Sequence, residues 1–485
     1  MASDDTRFDL NDDDAQLLPA NDAPSPDTGR HSESLDDENT LKPGFVRRVT
    51  DALEAGDHEA VYNLVEPLHP ADVADLFELI PADDRPAFAR AISDLMGGEV
   101  IAELNDHVRE LLIGALEPDE VAELAEQMET DDAVALIEDL DDEDQQAVLA
   151  ELDPEDRAAI ESALSYPEET AGRLMQRDLI AVPEHLTVGD LIDYLRENGD
   201  LTTEFWEVFV VDPRHRPLGT CQLSWILRTP RAVALADVMK RDQTLIPVSM
   251  DQEEVALRFQ KYALISAAVV DDSGRLVGQL TVDDIVHIIQ EEAGEDTLLL
   301  SGAGDGDINE PLQRTIRTRM WWLTINLFTA ILASAVVAFF QDTISRLVTL
   351  AVLMPIVTGM GGNAATQTMA VTVRALATNQ LTSSNTVRMI AREWWIASAN
   401  GIGLGFLMAI GCQAIYHDWW LSFVLVLAMV LNSLNAGLSG VLIPIGLDRL
   451  KIDPAVTSTV FVTTMTDTFG FFFFLGLATL FHLSA

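Results

Sequence analysis

The chain has 485 residues, a formal net charge of −49 and 2 cysteines. Acidity on this scale excludes a nucleic-acid binder, which needs clustered Lys and Arg to hold phosphates, and points to cations as partners. Cys221 and Cys412 lie far apart and read as free thiols of a reducing compartment.

The charge is divided unevenly. From Pro311 onward there are six acids (Asp342, Glu393, Asp418, Asp448, Asp453, Asp467) and nine Lys or Arg, whereas 73 acids and 21 bases precede it. A strongly acidic soluble half is therefore joined to a slightly basic, apolar half.

Residues 1–40 are rich in Asp, Ser, Pro and Asn and too poor in apolar side chains to fold, so a disordered acidic tail is expected, with no secretory leader. Residues 41–168 repeat one plan: a capping Asp or Pro, an apolar stripe at helical spacing, then a turn with paired acids. HPADVADLFELIPADDR, EPDEVAELAEQMETDDA and DDEDQQAVLAELDPEDRAAI each follow it. Short helices repeated in this way predict a superhelical α-helical N domain.

The period then changes. Two segments of about 60 residues, 169–229 and 230–290, each read as strand, helix, strand, strand, helix, and RPLG in the first answers RLVG in the second. This duplication resembles a tandem pair of CBS domains, an α/β unit with pseudo-twofold packing. The second copy keeps Gly278, Thr281 and Asp284 in the G-x-x-T-x-x-D order that CBS domains use around a nucleotide ribose, which makes an adenine nucleotide a candidate ligand. The first copy has Gly219 and Ser224 but no matching acid.

Residues 291–313 form an acidic connecting helix and a Gly-rich linker. Glu291, Glu292, Glu295 and Asp296 crowd like charges onto about two turns, which is unfavourable unless cations compensate or the helix end is fully solvated.

Residues 314–485 contain five apolar spans, at about 320–340, 346–373, 394–416, 419–447 and 454–482, each near the roughly 20 residues that a bilayer requires. Eight Lys or Arg fall on the side of Arg314, Arg317, Arg319, Arg374, Arg388, Arg392, Arg449 and Lys451, against Arg346 alone on the other. The N-terminus is then cytosolic and the C-terminus outside. The second span is expected to be interrupted, by Pro355 and by Gly359-Met360-Gly361-Gly362-Asn363, with carbonyls freed toward protein or water. Thr366, Gln367 and Thr368 add neutral oxygens on roughly one side; close helix packing is the competing explanation for the glycines. The fourth span is similarly marked by Asn432, Asn435, Gly437, Gly440 and Pro444. In the fifth, Asp467 follows Thr463, Thr464 and Thr466. A carboxylate at that depth costs about 2.5–3.5 kcal/mol, so it lines a watery path or ties two helices together. Carboxylate, amide, hydroxyl and carbonyl oxygens suit Mg²⁺, Ca²⁺ or Mn²⁺ rather than Zn²⁺ or Cu²⁺. One Asp undercompensates a divalent ion, so two copies about a twofold axis are expected. No P-loop or other hydrolase motif is present, and no enzymatic activity is expected.

From about residue 45 to 485 this multidomain membrane protein, with its five-helix all-α transmembrane domain, resembles the MgtE family of magnesium channels. The resemblance is carried by YPEETAGRLM, by PIVTGMGGNAATQ with VRALA, and by DPA followed by TTMTDTFG, in that order. It implies a homodimeric Mg²⁺-selective channel of the inner cell membrane, closed by cytosolic Mg²⁺. Asp467 falls on the family's pore aspartate and Asn363 on the Asn of its GGN motif, while Asp284, Glu292, Glu295 and Asp296 fall on acids that sense Mg²⁺. Three positions depart from the family pattern: Ala365 stands for a Gly, His287 for an acid, and Thr459-Val460 for an Asn/Gly-Pro pair. Two other readings stay open, a proton- or Na⁺-coupled exchanger and a membrane-tethered nucleotide or metal sensor.

Overall fold

The computed structural model describes residues 34–197, 205–301, 312–382 and 384–482. The chain divides into two compact units, up to Arg157 and from Ala158 onward.

The first unit is helical. Among the described residues, short α-helices run over 43–54, 58–65, 70–79, 85–91, 98–102, 106–113, 118–125, 130–138 and 142–151. Many of its acids and amides have a local task. Asp57, Asn105 and Asp141 accept backbone N–H groups at the starts of their helices, and Glu117 and Glu120 form a reciprocal capping box behind Pro118. Arg85 is buried and donates to the carbonyls of Phe77, Glu78 and Ile80, which closes the end of the helix at 70–79. Most of the expected tail lies outside the described residues. The expectation fails at 34–40, where Asp36 accepts from Glu38 and Thr40 and a Leu35–Leu41 bridge closes a turn. Burial of Leu41 ties that turn down.

The second unit opens with the duplicated segment. β1 (Ala181–Pro183) runs parallel to β2 (Glu207–Val211), which is antiparallel to β3 (Pro217–Gln222); β4 (Leu245–Pro247), β5 (Ser266–Val270) and β6 (Leu276–Thr281) repeat this. Both ladders slip at the same place, Val210/Val211 and Val269/Val270. The paired glycines have a shared reason. A Cβ on Gly219 would lie 2.7 Å from the Lys240 carbonyl oxygen and one on Gly278 would lie 2.8 Å from that of Gln176, so each lets the strand leading into the other copy approach. Ser266 Oγ donates to Glu207 at 2.6 Å, and Phe209, Val211, Ala268 and Leu276 share one core between the copies.

Helix α1 (Gln252–Tyr262) belongs to the second copy, and α2 (Val282–Ser301) leaves it directly from β6. Five long helices follow: α3 (Leu312–Phe339), α4 (Thr349–Ala377), α5 (Thr386–Tyr416), α6 (Trp419–Arg449) and α7 (Pro454–His482). Among the described residues, four segments are long and apolar enough to cross a membrane, in α3, α5, α6 and α7. The glycines, threonines and amides of α4 lower its apolar content.

One expectation is corrected. α4 is a continuous helix through Pro355 and the GMGGN run, not an interrupted one, although Pro355 has no N–H to offer the Ala351 carbonyl. Its inner face packs against α6 and α7, and a backbone out of water satisfies its polar groups best within a helix. Pro444 is likewise carried inside a continuous α6.

Candidate ion path and acidic junction

Asp467 lies 13 residues into the 29-residue α7, about 20 Å along its axis and near its middle. It is half-buried, and among the described residues it has neither a hydrogen-bond donor nor a cationic partner. Among the described residues it therefore ties no two helices together.

Asn363 stands at the same depth. α4 and α7 run antiparallel: Gly470 meets Thr358, and Thr459 meets Met369, so eleven residues of one match eleven of the other. Interpolation sets Asp467 level with Gly361 and within about 3 Å of the height of Asn363. Asn363, Thr366 and Gln367 lie on the exposed face of α4, while Thr368 is buried on the other side. The neutral oxygens thus divide: Thr368 Oγ1 donates at 3.2 Å to Glu393, a buried carboxylate of α5.

The glycines of the second-span motif divide too. Gly359 and Gly362 have open space where a side chain would go, whereas a Cβ on Gly361 would run into Asn432 of α6. Ala365 is fully buried, and its carbonyl oxygen would lie 2.9 Å from a Cβ on Gly440; the departure at 365 is accommodated by the glycine opposite.

Acids near the start of α7 are gathered from four places in the fold. Asp453 caps α7, accepting the Ala455 N–H at 2.7 Å. Glu292 on α2 accepts from Gln252 Nε2 at 2.7 Å. Glu169, in a left-handed turn, and Asp251, the cap of α1, stand beside them. The Glu295 carboxyl is pushed above its ordinary range first by the atoms packed around it, although its outer surface faces solvent. The charges of Glu292, Glu169, Asp453 and Glu291 then add to the shift. Glu292 is raised likewise, by burial and by Asp251, Glu169 and Glu291, against the lowering effect of Gln252. Further along α2, Leu299 packs against a core made of Ala365, Met369, Val373, Ala436, Ala455 and Val462. The same helix therefore reaches both the acids and the cluster where α4, α6 and α7 meet.

The expected sensor acids are not brought together. Asp284 lies eight residues before Glu292, about 12 Å along α2. It accepts from Thr281 Oγ1 at 2.6 Å and from Gln176 Nε2 at 3.0 Å. Among the described residues no group of three or more acid, His or Cys side chains is close enough to hold a metal ion. Asp296 lies on α2, with its side chain outside the described residues, and His287 is exposed. The nucleotide triad Gly278, Thr281 and Asp284 does converge, but Met175 and Gln176 of the same chain fill the space beside it. A cavity of about 1190 Å³ opens elsewhere, between Glu207, Lys240, Lys261 and Arg374. Sequence reasoning missed Glu169, Asp251 and Leu299 as members of the junction. The φ of +58° at Glu169 is a feature of the fold with no signal in the sequence.

Protonation of the junction has a definite sign. Raised carboxylates bind protons more tightly when assembled than when free, so assembly without metal is favoured as pH falls through the raised pKa values and is opposed above them. In chelator, the protection of α2 amides, taken as the exchange rate relative to the intrinsic rate at each pH, is expected to rise as pH falls toward the raised carboxylate pKa values. Protection that does not change with pH would contradict the proximity of these acids.

Bundle, half-buried carboxylate and duplicated sheet together define a membrane transport protein with an appended CBS pair. A family model described as a divalent cation transporter, MgtE, matches residues 354–477; others match the MgtE intracellular N domain at 68–169 and a CBS domain at 235–291. The chain is 30% identical over 318 residues to the magnesium transporter MgtE of Enterococcus faecalis, covering 66% of this chain and 70% of that one. It is 27% identical over 446 residues to the magnesium transporter MgtE of Bacillus subtilis, covering 92% and 99% respectively. It is also similar to a solved cytosolic domain of the Mg²⁺ channel MgtE in complex with ATP, at 28% identity and a TM-score of 0.47, covering 50% of this chain and 99% of that one. The chain belongs to the MgtE family.

Proposed function

We propose that the protein is a Mg²⁺-selective channel of the inner cell membrane, closed when cytosolic Mg²⁺ is high. The observation that carries this reading is Asp467: a carboxylate with no partner among the described residues, midway along an apolar helix and level with Asn363. Mg²⁺ sheds water reluctantly, so the path holds it hydrated, through oxygens. Two chains about a twofold axis set two Asp467 carboxylates against the double charge. The exposed polar face of α4, unsuited to lipid, supports that pairing. All five long helices cross the membrane, α4 included, because its Leu350, Leu353 and Val357 share a core with Leu425 of α6 and Phe474 of α7. The N-terminus is cytosolic and the C-terminus outside, by the excess of Lys and Arg on one side.

Gating follows from the junction. Mg²⁺ between Glu292, Glu295 and the acids facing them, Asp453 of α7 among them, offsets their repulsion and holds α2 against the helix ends. Loss of Mg²⁺ restores the repulsion and frees α7. The closed form must bind Mg²⁺ more tightly than the open one for this shift to occur.

Mg²⁺ uptake by liposomes containing the full chain tests the reading. Uptake is expected with no proton or Na⁺ gradient present, driven by the Mg²⁺ gradient and the membrane potential alone, and suppressed by Mg²⁺ on the cytosolic face. Uptake that vanishes without a proton or Na⁺ gradient would replace the channel with a coupled exchanger.

A further inference from the structure

α6 carries two asparagines one turn apart, and both reach across to the backbone of a neighbour. Asn432 Nδ2 donates to the Val357 carbonyl of α4 at 2.9 Å, and Asn435 Nδ2 donates to the Met465 carbonyl of α7 at 3.3 Å. Each carbonyl lies on a helix that bears a candidate ion residue: Val357 six residues before Asn363, Met465 two before Asp467.

The space around Asn432 is shaped to its amide. It is 1% exposed, and a side chain at Gly361 of α4 or Gly470 of α7 would collide with it; a Cβ on Gly470 would lie 2.9 Å from its Nδ2. A carbonyl needs a donor, so the bond to Val357 fixes which way the amide points. That leaves its Oδ1 buried without a hydrogen-bond partner among the described residues. Packing alone does not explain such a group, because a leucine of similar volume would fill the gap with no unpaired acceptor. What an amide adds is direction: a fixed point on α6 from which the height of a neighbouring backbone is set.

We propose that Asn432 and Asn435 are positioning residues, which hold α4 and α7 in axial register so that Asn363 and Asp467 meet the ion at one depth, and which thereby set the preference for doubly over singly charged cations. This rests on the reading of Asp467 as the ion site. A slip of one helical turn would part the two groups by about 5.4 Å, and even about 1 Å of misplacement is costly where several oxygens must meet one ion. The asparagines touch no ion; they act through the backbones they hold.

The full-length protein in liposomes, with the ratio of Mg²⁺ to Na⁺ flux read beside the thermal midpoint, decides the matter. Asn435 is only half-buried, so Asn435→Leu is expected to fold and insert as the parent does, and its flux ratio to fall about tenfold. Asn432→Leu is expected to lower the ratio at least as far; where it fails to assemble, Asn435→Leu decides alone. A ratio unchanged within about twofold in variants that alter only the amount or the midpoint of the protein would overturn the inference. Asp467→Asn, run in parallel, separates the two failures. Parental flux and ratio in that variant would remove the ion site and this inference together. A lost flux there, beside unchanged ratios in the asparagine variants, would remove the inference alone.

Discussion

Asp467→Asn is expected to lower Mg²⁺ flux by about 100-fold while leaving the protein folded. The substitution keeps the size and shape of the side chain and removes one negative charge per chain. A doubly charged ion about 5 Å away, across its own water, interacts with that charge by about 2 kcal/mol in bulk water and about 7 kcal/mol at the effective dielectric of a partly buried site. Even the lower figure is more than tenfold in occupancy. Stability should not suffer, because the carboxylate has no hydrogen bond or ion pair among the described residues to lose. Insertion becomes easier, since a carboxylate at that depth costs about 2.5–3.5 kcal/mol. Uptake reported by a Mg²⁺-sensitive dye inside liposomes, normalised to inserted protein, measures the effect. A neutral variant that conducts Mg²⁺ as well as the parent would remove the carboxylate from the path and leave the channel reading without its main support.

The residues that announced themselves in the sequence were those that break a local rule. Asp467 did so by being charged within an apolar helix, and at mid-helix it has no partner among the described residues. RPLG and RLVG did so by repeating, and the repeat reappears as two ladders that slip at the same place. Local chemistry of this kind survives folding. What depends on which backbone faces which does not show in one dimension. The GMGGN run reads as a broken helix when its neighbours are ignored, yet α6 and α7 brace it into a continuous one. The acids of α2 read as a single sensor, but a helix carries Asp284 about 12 Å from Glu292. The partners that Glu292 and Glu295 do find, Glu169, Asp251 and Asp453, arrive from a turn and from two helix caps distant in sequence. Ala365 reads as a loss of close approach; Gly440, 75 residues away, restores it.

The GMGGN run also supplies the test of what its glycines are for. Gly361→Ala places a methyl carbon where Asn432 already sits, with Cγ of that residue 2.8 Å away. Asn432 is wedged against Gly470 on its other side, so it has little room to give. Overpacking costs about 1–3 kcal/mol, and loss of the bond to Val357 about 1 kcal/mol more. Gly362→Ala meets nothing, and in a helix interior it gains about 0.5–1 kcal/mol. For a helical unit of this size each kcal/mol moves the midpoint by about 2–4 °C, so the two variants are expected about 5–15 °C apart in detergent. The collision has a named partner. Adding Asn432→Ala to Gly361→Ala should therefore cost less than the two changes summed, a coupling that distant sites do not show. Equal midpoints for the two alanine variants would mean that α6 does not press on this helix, and that continuity of α4 through the glycines has another cause. A large difference with strong coupling would assign Gly361 to the packing of three helices and leave Gly359 and Gly362 to the open face, beside Asn363, where an ion could approach the backbone.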